Sequence, residues 1–218
     1  MTINEIRLRD VLPDVFVGDS KAPGDVWLSD ITFSRGGIYL VEAESGAGKS
    51  SLCSFIYGNR ADYQGSIYFD SRDIRSLSVA EWCAVRSANI ALLPQEMRIF
   101  PRLTAHENVE IKNDITGYCS RERIEEMFRL LGIADRIDTP ASRLSVGQQQ
   151  RVAIIRTLCQ PADFIILDEP VSHLDAHNNN VAARLIMEHA RELGAAVIST
   201  SVGNHLDVPY DFVMKLSR

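Results

Sequence analysis

Glu42-Ala43-Glu44-Ser45-Gly46-Ala47-Gly48-Lys49-Ser50-Ser51 follows a short apolar run, Ile38-Tyr39-Leu40-Val41, and leads into Leu52-Cys53-Ser54-Phe55-Ile56. The apolar run has the character of a buried strand and the sequel that of a helix. A strand, a glycine-rich turn ending in Lys-Ser and a helix make a phosphate-binding loop. Gly46 and Gly48 allow the backbone N–H groups to turn inward on phosphate oxygens. The helix adds its positive N-terminus, Lys49 a mobile cation, and the Ser50 hydroxyl a ligand for Mg2+. Ala43 stands where the pattern has its first glycine. If that position were left-handed, the methyl group would cost about 1 to 2 kcal/mol.

Downstream, Phe164-Ile165-Ile166-Leu167 is an apolar strand that runs into Asp168-Glu169. It sets two carboxylates at the carboxyl edge of a parallel sheet, where α/β folds bind ligands. Asp168 is positioned to hold Mg2+, directly or through water, and Glu169 to polarise the water that attacks a γ-phosphate. Together with Ser66–Phe69, Asn89–Leu93 and Ala196–Ser199, the strands around both motifs predict an α/β core. From Leu103 to Arg143 the pattern changes: Ile124, Met127, Phe128, Leu130 and Leu131 recur at helical spacing with few strand formers, which predicts an inserted helical lobe.

Bulk properties agree with one composite domain of 218 residues, 45% of them hydrophobic. A net charge of -6 argues against a main partner that is a nucleic acid backbone. Cys53, Cys83, Cys119 and Cys159 are scattered without metal-ligand spacing, so neither a disulfide framework nor a structural metal is expected. The N-terminal residues lack the apolar stretch of a secretory signal, and no run approaches the ~20 apolar residues that span a bilayer. Any membrane-spanning part is therefore expected on a separate polypeptide.

Leu144-Ser145-Val146-Gly147-Gln148-Gln149-Gln150-Arg151, followed by Val152-Ala153-Ile154-Ile155-Arg156, resembles the signature sequence of ABC ATPases. Gln95, in Leu92-Leu93-Pro94-Gln95, resembles their Q-loop glutamine, and Ser172-His173-Leu174-Asp175 their D-loop. The resemblance covers nearly the whole chain. It implies a P-loop NTPase fold: a mainly parallel sheet flanked by helices, an antiparallel β subdomain, and the helical subdomain at 103–143 set into a core of 1–102 and 144–218. It implies ATP and Mg2+ as ligands and a homodimer in which Ser145, Gly147 and Gln148 of one protomer close over the nucleotide held by Ser45, Gly46, Ala47, Gly48, Lys49, Ser50 and Ser51 of the other. Phe16 corresponds to the family's adenine-stacking aromatic. Ser50, Gln95 and Asp168 would manage the metal, and Glu169, Lys49 and Gln95 the chemistry.

The resemblance further implies an integral membrane permease as partner, no nucleic acid, and a place at the cytoplasmic face of the cell membrane. Ile99-Phe100-Pro101-Arg102-Leu103-Thr104-Ala105-His106-Glu107-Asn108-Val109 looks like the ATPases of lipoprotein release, macrolide export and cell division. Two departures stand out: Val146 replaces a signature glycine, which predicts weakened closure of the dimer, and Ser201 stands where the family has its switch histidine, which predicts slow hydrolysis with retained binding. His173 and His205 lie nearby without being assigned catalytic work. Two alternatives stay open, a soluble ABC module acting in translation or DNA repair and a nucleotide-binding subunit with little hydrolysis.

Overall fold

The structure, a computed structural model, describes residues 2–18 and 24–217. Its central sheet has five parallel strands in the order β6 (Ile90–Leu93), β7 (Phe164–Asp168), β8 (Ala196–Ser201), β3 (Ile38–Ala43) and β9 (Phe212–Leu216). β7 and β8 are buried at every position, because helices or a second sheet cover both faces. The pleat then divides their side chains. Phe164, Ile166 and Ile198 enter a core shared with the second sheet, whereas Ile165, Leu167 and Val197 enter one shared with the longer helices.

The second sheet is antiparallel, in the order β2 (Asp30–Ser34), β1 (Glu5–Pro13), β4 (Tyr63–Phe69) and β5 (Arg72–Asp73). It packs Ile6, Leu8, Ile67 and Phe69 toward α1 (Lys49–Ile56), which contributes Leu52, Phe55 and Ile56. α2 (Val79–Ala88) starts at a capping box formed by Ser78 and Glu81.

Between β6 and β7 lie α3 (Ala105–Asn113), α4 (Arg121–Leu130) and α5 (Val146–Leu158). α3 begins at a second capping box, with Thr104 N donating to Glu107 Oε2 at 2.7 Å. The chain leaves for α3 and returns toward α5 at one place: Ala141 N donates to Leu103 O at 2.8 Å and Ser142 N to Pro101 O at 2.9 Å. Ile124, Met127 and Phe128 of α4 are buried as their spacing predicts, but Leu130 is exposed and points outward. α6 (Ala176–Leu193) follows β7 and ends at Gly194 in the left-handed conformation that glycine adopts freely.

Two sequence expectations need correction. Asn89 is not part of β6; it caps α2 and donates from Nδ2 to Asp163 Oδ2 at 2.7 Å. Ala43 is not left-handed: it closes β3 opposite Leu216. The methyl group in place of the first glycine therefore carries no backbone strain.

Candidate nucleotide site

Register fixes the floor of the site. Asp168 lies opposite Thr200, and Thr200 opposite Val41, so the ends of β7, β8 and β3 line up at one sheet edge. The loop after β3, Gln95 just past β6, Asp168 at the end of β7 and Glu169 just after it converge there. A cleft of about 370 Å³ results, lined by Phe16, Ser45, Gly46, Gly48, Lys49, Ser50, Ser51, Gln95 and Glu169, together with Val15 and Arg60.

Within the loop, Gly46 and Gly48 hold φ of 82° and 98°, conformations that most side chains disfavour. Space also excludes a side chain at Gly48, where a Cβ would lie 2.9 Å from the Trp27 ring and 3.2 Å from that of Phe16. Trp27 clamps the loop from below, donating from Nε1 to the Ala47 carbonyl at 3.1 Å. Lys49 is 5% exposed and curls back over the loop, with Nζ donating to the carbonyls of Ala43 (3.3 Å) and Glu44 (3.1 Å). The same Nζ lies 3.5 Å from Glu169 Oε1.

The acidic side is equally well fixed. Asp168 is buried and its Oδ1 accepts from Thr200 Oγ1 at 2.7 Å. Thr200 Oγ1 also accepts from Glu169 N at 3.2 Å. Glu169 carries φ 51°, a left-handed conformation uncommon for a residue with a Cβ and of the kind that concentrates at functional sites. Ser50 Oγ donates to Gln95 Oε1 at 3.3 Å, which sets two candidate metal ligands side by side. Under the loop, burial first and then the Asp168 charge push the Cys53 thiol well up, so it stays neutral.

The signature residues stand elsewhere. Ser145 caps α5 and shares a capping box with Gln148, whose N donates to Ser145 Oγ at 3.2 Å. A Cβ on Gly147 would lie 2.9 Å from the His173 carbonyl, so the helix start packs directly on the turn after β7. Ser145, Gly147 and Gln148 are not among the residues lining this chain's cleft. His173 and His205 are exposed, and Ser201 is fully buried.

Sequence reasoning did not find Trp27, Thr200 or Arg60 as site residues. Trp27 and Arg60 lie in loops whose approach to the site depends on the fold. Thr200 could have been suspected from a hydroxyl just past the strand predicted at Ala196–Ser199.

A family model described as ABC transporter matches residues 29–172. The chain belongs to this family. Among curated ABC proteins, methionine import ATP-binding protein MetN 2 of Rhodococcus jostii is 34% identical over 172 residues, which is 78% of this chain and 50% of that protein. Macrolide export ATP-binding/permease protein MacB of Shewanella sp. is 33% identical over 83% of this chain and 29% of its own length. ABC transporter ATP-binding protein YtrE of Bacillus subtilis is 31% identical over 78% of this chain and 76% of its own. The chain thus spans about half or less of the MetN and MacB proteins it matches. The dimeric ABC transporter cassette MJ0796 superposes with a TM-score of 0.75 at 26% identity, over 89% of this chain and 87% of that one. A bacterial Atm1-family ABC exporter gives 0.76 at 21% identity, over 99% of this chain and 37% of that one, a likeness of fold.

Proposed function

We propose that this chain is the ATP-binding and hydrolysing subunit of an ABC transporter, working as a homodimer on a separate membrane permease. The observation that carries the reading is the convergence of Lys49, Ser50, Gln95, Asp168 and Glu169 on one sheet edge beside the glycine-rich loop. Among the described residues no cluster of three or more His, Cys, Asp or Glu side chains forms a metal cage. One carboxylate, one hydroxyl and one amide suit Mg2+, which takes few protein ligands and completes its shell with phosphates and water. Ser50, Asp168 and Gln95 would hold it. When bound, the ion neutralises charge shared by the β- and γ-phosphates.

The chain's own groups then divide the work. Lys49 Nζ exchanges its loop carbonyls for phosphate oxygens, while the loop amides and the start of α1 stabilise the charge that develops on them. Glu169, held at its strained turn by Thr200 and Gln150, accepts a proton from the attacking water. Phe16 offers its ring to the base. Ser145, Gly147 and Gln148, outside the lining of their own cleft, would face a partner's nucleotide, an arrangement supported by the dimeric state named for MJ0796.

Residues 103–143 act as a helical lobe inserted into a core of 1–102 and 144–218, a division supported by the backbone hydrogen bonds that pair the entry and exit segments at Leu103 and Ala141. Among the described residues no helix is long and apolar enough to cross a membrane. MacB supports the assignment to the macrolide-export subgroup, and MetN matches at similar identity.

Slow turnover goes with Ser201, whose buried Oγ has no hydrogen-bond partner among the described residues, where the family has a histidine. Purified protein should release phosphate from Mg-ATP, and Glu169→Gln should abolish release while keeping ATP binding. Equal rates for the two would sink the hydrolysis reading.

A further inference from the structure

We infer that Arg60 is a nucleotide-contacting residue that holds the α-phosphate, a role that rests on the adenine-nucleotide reading of the cleft. Lys49, Gln95, Glu169 and Phe16 all line the cleft, with the Phe16 ring beside Gly48 of the loop. A nucleotide with its terminal phosphate at Lys49 and its base against Phe16 has to pass its α-phosphate and ribose between them. Ser51 and Arg60 line the same cleft, and Arg60 bridges Ser51 at the end of the phosphate loop and Asp62, whose carbonyl holds the segment of Phe16.

Arg60 lies in the loop between α1 and β4, and this loop is tied to the segment that carries Phe16: Asp14 N donates to Asp62 O at 3.0 Å. Its guanidinium is held on several sides. Nε donates to Asp62 Oδ1 at 2.9 Å and Nη2 to Asp62 Oδ2, a bidentate fork. Nη1 donates to Ser51 Oγ at 2.9 Å, and the group lies over the buried Phe55 ring at 5.3 Å. A guanidinium has five N–H donors. These contacts use three, so two remain on a cation already oriented by its neighbours and exposed at the cleft wall. Asp62 serves as the orienting group, and a planar fork fixed in this way suits a phosphate better than a mobile ammonium.

The contact differs from that of Lys49 in which phosphate it serves. It should strengthen ATP and ADP alike and leave unphosphorylated adenosine unaffected.

The test is calorimetric titration of ATP, ADP and adenosine into wild-type protein, Arg60→Ala and Arg60→Lys, with thermal melts of each. Arg60→Ala should weaken ATP and ADP by similar factors, roughly tenfold to a hundredfold for a lost charge-assisted bond. Adenosine should bind as before, Arg60→Lys should recover part of the loss, and in turnover assays the loss should fall on KM. Unchanged ATP and ADP affinities would overturn the inference, as would an equal loss for adenosine, which would mark a damaged fold or base site. Wild-type protein that binds no adenine nucleotide would overturn the reading of the cleft and this inference with it; binding by wild type with no change in Arg60→Ala overturns the inference alone.

Discussion

Gln150 Nε2 donates to the backbone carbonyl of Glu169 at 3.2 Å, which joins the signature helix to the residue placed to activate water. The same buried amide reaches Ser172 Oγ at 3.4 Å, and its Oε1 accepts from His173 N at 3.0 Å. One side chain from α5 therefore holds both ends of the turn that follows β7. Gln150→Leu keeps the volume but leaves the Glu169 carbonyl and His173 N–H without this partner. Each such group costs about 1 to 3 kcal/mol. Urea denaturation should show a stability loss in that range or somewhat above it. Phosphate release should fall further than folding explains, because the left-handed Glu169 turn is no longer held.

Thr200 is the pivot of the acidic edge, since its Oγ1 donates to Asp168 and accepts from Glu169 N. Thr200→Val is nearly isosteric and removes both bonds. Groups that orient a metal ligand are worth about 10- to 100-fold in metal affinity or activity. The Mg2+ concentration for half-maximal turnover should rise by about that factor, while binding of ATP without metal changes little. An unshifted Mg2+ curve would place Asp168 outside the metal's reach.

Arg156 supplies a second link from α5, this time to the segment after Gln95. It is held between the carbonyls of Met97 and Arg98, the latter at 2.9 Å, and both residues have positive φ, 56° and 49°. Two consecutive left-handed residues with side chains are costly on their own, and the guanidinium clamp offsets that cost. Burial pulls the Arg156 pKa down, and these carbonyls stabilise the cation in return. Arg156→Met should let the turn relax and carry Gln95 away from Ser50. The expected result is a drop in kcat with ATP affinity kept within a few-fold, compared by single-turnover and binding assays.

These links also mark how far the sequence could be read. Lys49, Ser50, Asp168 and Glu169 were legible because each follows a buried strand within a motif whose chemistry needs that residue type at that spacing. The central strands were legible as continuous apolar runs, but β1 was not. Arg7, Arg9 and Asp10 interrupt it, and the register shift between Arg9 and Leu12 puts both Leu8 and Val11 in the core, which breaks the period of two. β9 is an edge strand with Phe212 and Val213 exposed, so no burial pattern announces it. Gln150 was visible inside the signature, yet its bond to Glu169 exists only once α5 packs on the turn after β7.

Val146 tests the proposed dimer most directly. It is the first residue of α5, next to Ser145, and 48% of its surface is exposed although its neighbours on the helix are half-buried or buried. A β-branched side chain at that point projects from the helix start that would meet a partner's phosphates, and in the proposed dimer it would hold the two surfaces apart. Val146→Gly removes the bulk at a cost to the helix of no more than about 1 kcal/mol. In a Glu169→Gln background, where ATP is not consumed, light scattering should then show dimers forming at lower protein concentration when Mg-ATP is added, and no dimers without it. Such a shift can arise only if this helix start lies at the nucleotide-dependent contact, because a change elsewhere on the surface would leave the ATP dependence as it was. Unchanged dimerisation would mean that Val146 stands clear of the contact.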